Sequence, residues 1–130
     1  MAYIDLTKIT DIHAQNIIAE NEALASLALE NAEVDTRVAA RDENVKAEDI
    51  PFDNEGFLQS EMLYLYCKYS FLTHLFMSVN GSYDIDDIYA VKVREYKHEL
   101  QLKKDRLNYA IITEEEVVES NKRGSDIDIL

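Results

Sequence analysis

The chain has one cysteine, one proline and three glycines in 130 residues. A lone cysteine cannot close an internal disulfide, which fits a reducing compartment or a fold that needs no staple. So few helix breakers argue against a turn-rich β architecture and favour long helices. Positive charge is also scarce: 13 basic residues stand against 26 acidic ones, a net charge of −13. Proteins that grip a nucleic-acid backbone concentrate lysine and arginine. The balance here argues against tight DNA or RNA binding and against anionic membrane surfaces. The opening residues, MAYIDLTKIT, lack the basic-then-apolar pattern of a secretory signal. There is no glycine-rich phosphate loop and no G-x-S-x-G elbow.

What the chain does have is one concentrated apolar stretch. Residues 57–79, FLQSEMLYLYCKYSFLTHLFMSV, hold three of the four Phe, three of the eight Tyr, the only Cys and both internal Met. The stretch is about as long as a membrane span, but Glu61, Lys68 and His74 interrupt it, and charges near the centre of a span are costly in lipid. A helix buried inside a protein over most of its circumference is the cheaper reading. Leu58, Met62, Leu65, Tyr69, Leu72, Phe76 and Val79 follow steps of three and four and predict its core stripe. Asn54 is the expected N-cap. Apolar surface wrapped this far round calls for neighbours on several sides, from the same chain, from other subunits or from both. One small bundle is expected to leave part of it uncovered.

The flanking segments predict an all-α fold: a small antiparallel bundle of about four helices, with a long loop and an extended C-terminal arm. Hydrophobic content of 47% and charged content of 30% suit one globular domain. Thr10 reads as the cap of a first helix with Asp11 in its first turn. Asn21 either ends that helix and caps the next, or the two run together. Residues 22–41 form a second helix, rich in Ala, Leu and Glu. Leu24, Leu27, Ala28, Val34 and Val38 predict its core face, and Glu33 with Arg37 a supporting ion pair. Residues 42–56, with Pro51 and Gly56, read as a loop that either covers the core or contacts something outside it. Asn80-Gly81 stops the central helix. A last amphipathic helix follows, residues 85–107, with Tyr89, Val93, Tyr96, Leu100 and Leu107 in a narrow stripe. The domain is drawn as residues 1–108, and residues 109–130 as the arm, which ends in alternating Asp126-Ile127-Asp128-Ile129-Leu130. The acidic excess sits in residues 1–56, with 13 acids against 4 bases, and again in residues 109–130.

Candidate chemistry is thin. Glu95-x-x-His98 has di-iron half-site spacing but no second such pair. Asp84-x-Asp86-Asp87 lacks the Gly and Glu of a calcium loop and reads as N-capping. Cys67 and His74 lie about 10.5 Å apart along one helix, too far to bond directly. The expectation is no catalysis, no cofactor and no metal.

The order of elements resembles that of the small head–tail connector proteins of tailed bacteriophages, also called head-completion or adaptor proteins. The matching features are an Ala- and Leu-rich helix, LASLALENAEVDTRVAAR, with Asp35 near its end; a loop with Ile50-Pro51; the Tyr-rich apolar helix MLYLYCKYSFLTHLF; an Asp-rich turn; and Tyr96-Lys97 in VREYKHELQLKKDRL. The likeness covers roughly residues 21–107, and the C-terminal extension departs from it. It implies a structural virion protein in the neck between head and tail, assembled in the host cytoplasm. It further implies a dodecameric homo-oligomeric ring docked on the portal protein, meeting a tail or stopper protein, with DNA only as passing cargo and no membrane. Partner contacts are expected at Val45, Ile50 and Phe52 in the loop and at Ile127, Ile129 and Leu130 in the arm. The alternatives are a cytosolic helical regulator or adaptor that binds a basic protein through acids such as Glu30, Glu33 and Asp35, and a ferritin-like metal enzyme.

Overall fold

The computed structural model describes residues 2–79 and 88–114. These form a helical bundle: α1 (Ile12–Glu20), α2 (Glu22–Asp42), α3 (Glu61–Val79), α4 (Ile88–Asp105) and α5 (Tyr109–Thr113). Among the described residues there is no strand, only an isolated antiparallel bridge between Phe52 and Leu58. The Asp-rich turn before α4 and the arm beyond Glu114 lie outside the described residues.

Local chemistry sets the helix ends. Asp11, not Thr10, caps α1: its carboxylate accepts from the backbone N–H groups of His13 and Ala14. Asn21 does both jobs the sequence left open. Its N–H donates to the Ile17 carbonyl, closing α1, and its side chain accepts from Leu24 N–H, opening α2. Asn44, at φ 67°, ends α2 in a left-handed turn; its N–H donates to the Arg41 carbonyl and that of Val45 to the Ala40 carbonyl. That pair of bonds is a Schellman closure, which turns the following apolar residue inward. Helix α3 starts four residues later than its composition suggests. Gly56 adopts φ 90° in a turn tied by Asp53, and Ser60 supplies the N-terminal contact to Leu63 N–H. Phe57 and Leu58 therefore belong to the loop, not the helix.

α3 is the centre of the bundle, with α2 and α4 against two sides of it. Tyr69 meets Tyr96 at 5.8 Å between ring centroids and Phe76 meets Tyr89 at 5.7 Å, so α3 and α4 run antiparallel. Phe76 also stacks on Tyr96. The predicted α4 stripe of Tyr89, Val93, Tyr96 and Leu100 packs against the core, and Leu107 is buried. On the other side α2 packs against α3, with Asp35 reaching Ser70 and His74.

Two expectations about covering the core are corrected. First, α3 is sheltered by its own chain. Leu63, Tyr66, Cys67, Phe71, Leu72, Leu75 and Phe76 are buried, and Met77 is its one large apolar residue in the open. Second, of the face predicted for α2, Ala28 is buried and Leu24 packs against the core, but Leu27, Val34 and Val38 are exposed. The helix turns Ala25, Ala28, Ala32, Thr36, Ala39 and Ala40 inward. Small side chains let its backbone approach the bulky α3, so large residues fill the space from one side only.

Residues 42–60 cover the core, together with the N-terminal segment. Tyr3 is held on three sides: its N–H donates to Glu33, its hydroxyl accepts from Arg37, and its carbonyl accepts from Leu58 N–H. Glu33 and Arg37 thus both grip Tyr3 and do not pair directly as their spacing predicts. Helix α5, capped by Asn108, places Ile112 in the core. The bundle therefore extends through residue 113, past the boundary drawn at 108.

Candidate functional site

Three places bring polar or apolar groups together in a way that invites a functional reading. The first is the junction of α1 and α4. Asp11, whose side chain is 6% exposed, caps α1 with one carboxylate oxygen. Its other oxygen accepts from the Tyr96 hydroxyl and from Lys92 Nζ at 2.9 Å. Burial pushes the Asp11 carboxyl up, but hydrogen bonds from Tyr96, Lys92 and Ala14 N–H outweigh it and hold the group below the ordinary carboxylate range. Burial, and then the Asp11 bond, raise the Tyr96 phenol. The Asp11 oxygens are occupied and neither group is poised to exchange a proton near neutrality. The arrangement is a structural lock.

The second is Asp35, Ser70 and His74. These are the residue types of a hydrolytic triad, but their order is wrong for one. Asp35 Oδ2 holds both Ser70 Oγ, at 3.0 Å, and His74 Nε2, at 2.7 Å. Among the described contacts the Ser70 hydroxyl donates to the carboxylate and not to the imidazole, and Ser70 is buried. A serine nucleophile needs the imidazole between it and the acid. Here the carboxylate clasps α2 to α3. Cys67 is likewise inert: it is buried, and burial pushes its thiol up to about 12. Glu95 and His98 are exposed on α4. Among the described residues no group of three or more His, Cys, Asp or Glu is arranged to hold a metal ion. No described helix is long and apolar enough to cross a membrane.

The third is the outward face of α2, which sequence periodicity assigned to the core. Leu27, Val34 and Val38 are 53%, 47% and 39% exposed. At 100° per residue they lie nearly opposite the alanine stripe, and they run about 16 Å along the helix. At its C-terminal end the face opens into a groove of about 370 Å³, lined by Val34, Val38 and Ala47 with Arg37, Arg41 and Lys46. Among the described residues no carboxylate lines it. Arg41 and Lys46 make no ion pair among the described residues. The groove gathers three of the four basic residues found in residues 1–56. The signal for this face was in the sequence. Alanines at steps of three and four mark a helix face as well as leucines do, and two apolar stripes on one helix mean two surfaces.

The expected contact residues fare unevenly. Val45 and Ile50 are 1% and 4% exposed, so they belong to the core and not to a partner surface. The Schellman closure turns Val45 in, and the loop is a lid on the bundle rather than an outward arm. Phe52 is half-buried against Tyr3, with ring centroids 5.1 Å apart. Ile127, Ile129 and Leu130 lie outside the described residues. Of the acids offered to a basic partner, Glu33 is bonded to Tyr3 and Asp35 to Ser70 and His74, leaving Glu30 exposed. Compared with family models, curated proteins and solved structures, the chain matches none.

Proposed function

We propose that this chain is a non-enzymatic assembly subunit, a ring-forming head–tail connector that docks on a phage portal and extends the DNA channel toward the tail. The observation that carries the assembly part is the exposed stripe of Leu27, Val34 and Val38 on a helix that already buries its opposite face. Among the described residues this second stripe stays exposed, and exposed apolar stripes mark interfaces. The virion setting rests on the order of helices and loops that resembles the connector proteins. A net charge of −13 fits a wall that DNA passes without being gripped, since like charges repel phosphate.

Size-exclusion chromatography with light scattering, or native mass spectrometry, tests this with and without the portal protein. A ring is expected in at least one of the two conditions, and Val34→Asp with Val38→Asp is expected to abolish it while leaving the helical signal unchanged. A monomer in both conditions overturns the proposal. The adaptor reading, binding of a basic partner through Glu30, Glu33 and Asp35, is weakened because two of the three acids are already hydrogen-bonded to other parts of the bundle.

A further inference from the structure

We propose that the basic apolar groove at the C-terminal end of α2 is the docking site of this chain's own acidic segment, Asp126-Ile127-Asp128-Ile129-Leu130. The match is one of spacing and charge. Val34 and Val38 are four residues apart on a helix, about 6 Å along its axis, and so are Arg37 and Arg41. In an extended chain alternate residues face the same side and repeat about every 6.6 Å. Ile127 and Ile129 thus share the step of the two valines, while Asp126 and Asp128, on the opposite side of an extended chain, repeat at the step of Arg41 and of Arg37, which also donates to the Tyr3 hydroxyl. Lys46 adds a third positive charge on the groove's other wall. In a chain of net charge −13, this is a groove lined, among the described residues, by three bases and no acid. An occupant that is both apolar and acidic suits it, and the segment supplies both.

Reach is sufficient. Residues 115–125 connect the end of the described bundle to Asp126 and can span roughly 35 Å when extended. A domain of this size has a radius of gyration of only about 13 Å. The segment can therefore reach the groove of its own bundle or that of an adjacent copy. The groove assignment does not depend on the ring. It deepens the assembly reading only where the segment comes from another copy.

Photocrosslinking on the full chain tests this, with Ser125→p-benzoylphenylalanine placing the probe just before the segment. Crosslinks are expected on α2 around Val34 and Val38 and on Ala47, mapped by mass spectrometry. Arg41→Glu with Lys46→Glu is expected to reduce their yield several-fold. Adding Asp126→Lys and Asp128→Lys to that variant restores it. Ile127→Ser with Ile129→Ser abolishes the crosslinks. Arg41 and Lys46 are exposed and make no ion pair among the described residues, so the charge variants leave the fold intact, which circular dichroism checks. Crosslinks scattered over the surface, or a yield indifferent to both pairs of substitutions, overturn the inference. Mixing isotopically heavy and light chains separates it from the ring. Heavy–light crosslinks in the groove support both readings. Groove crosslinks confined to single chains uphold the docking site and remove the arm from the assembly.

Discussion

Removing the Asp11 carboxylate is expected to destabilise the fold by about 2.5–3.5 kcal/mol. Loss of an N-cap costs about 1 kcal/mol. Loss of hydrogen bonds to a charged acceptor adds about 1.5–3 kcal/mol. The upper end is tempered because Lys92, with a side chain 22% exposed, regains part of its hydration. Against a typical total of about 5–15 kcal/mol this is a large fraction, and it corresponds to a fall in melting temperature of roughly 10 °C or more. Asn21→Ala is the internal control: it also removes an N-cap but an exposed one, so its cost stays near 1 kcal/mol. Tyr96→Phe removes one donor, and the double variant Asp11→Ala/Tyr96→Phe is expected to cost less than the two singles combined, because both remove the same bond. Asp11→Asn keeps the capping oxygen but removes the charge and replaces the acceptor facing Tyr96 and Lys92 with a donor. The Asp11 carboxyl lies lower in the fold than its unfolded value of about 3.9. Between those two values the unfolded state binds more protons, so stability rises with pH across that window. The advantage of wild type over Asp11→Asn is thus fully present above about pH 5 and is lost as pH falls through the depressed value. Urea midpoints at pH 7 and pH 3 read it. If Asp11→Ala costs no more than Asn21→Ala, or if the advantage does not shrink in acid, the junction is not a lock.

The two faces of α2 make opposite predictions. Ala32→Leu forces a larger side chain into the α2–α3 contact and is expected to cost about 1–3 kcal/mol, whereas Val34→Ala on the outer face stays within about 0.5 kcal/mol; denaturant midpoints compare them. Ile50→Ala is expected to cost about 2–5 kcal/mol if the loop covers the core, as its 4% exposure says, and a neutral result returns Ile50 to the surface. Cys67 is expected to resist thiol reagents in the native protein and to react fully in denaturant, because it is buried and its thiol is pushed up to about 12.

Large side chains were legible where they act alone. The α4 stripe of Tyr89, Val93, Tyr96, Leu100 and Leu107 could be read because each residue is bulky and the helix is polar elsewhere. α2 misled because Leu27, Val34 and Val38 outweigh alanine on any hydropathy scale, yet alanine is what a close helix–helix approach selects. Thr10 and Asp11 are both capping residues, and local sequence cannot rank them. The contact that ranks them comes from Tyr96, 85 residues away. The groove on α2 was invisible for a similar reason, since Lys46 and Ala47 reach it only through the turn at Asn44.

Three residues that carry the resemblance to connector proteins turn out to share one property here. Asp35 clasps α2 to α3, Ile50 seals the loop onto the core, and Tyr96 joins α4 to the cap of α1. Each of these three makes a long-range structural contact between elements, although the Asp35 side chain is 42% exposed and Lys97, which the resemblance also uses, is exposed. Their pattern therefore speaks to how the helices are held together and is silent on what the bundle touches. The burial of α3 removes the other sequence argument for sibling copies, because its apolar circumference is satisfied within the chain. What remains for assembly is the face that neither the resemblance nor the core explains, the line from Leu27 to Val38 and the basic groove at its end. Substitutions at Asp35 or Tyr96 would impair any function by loosening the fold, so they cannot discriminate among functions. Substitutions at Val34, Val38, Arg41 and Lys46 leave the core untouched and report on the outer face of α2, and the oligomeric state of those variants separates a ring subunit from a bundle that docks only its own arm.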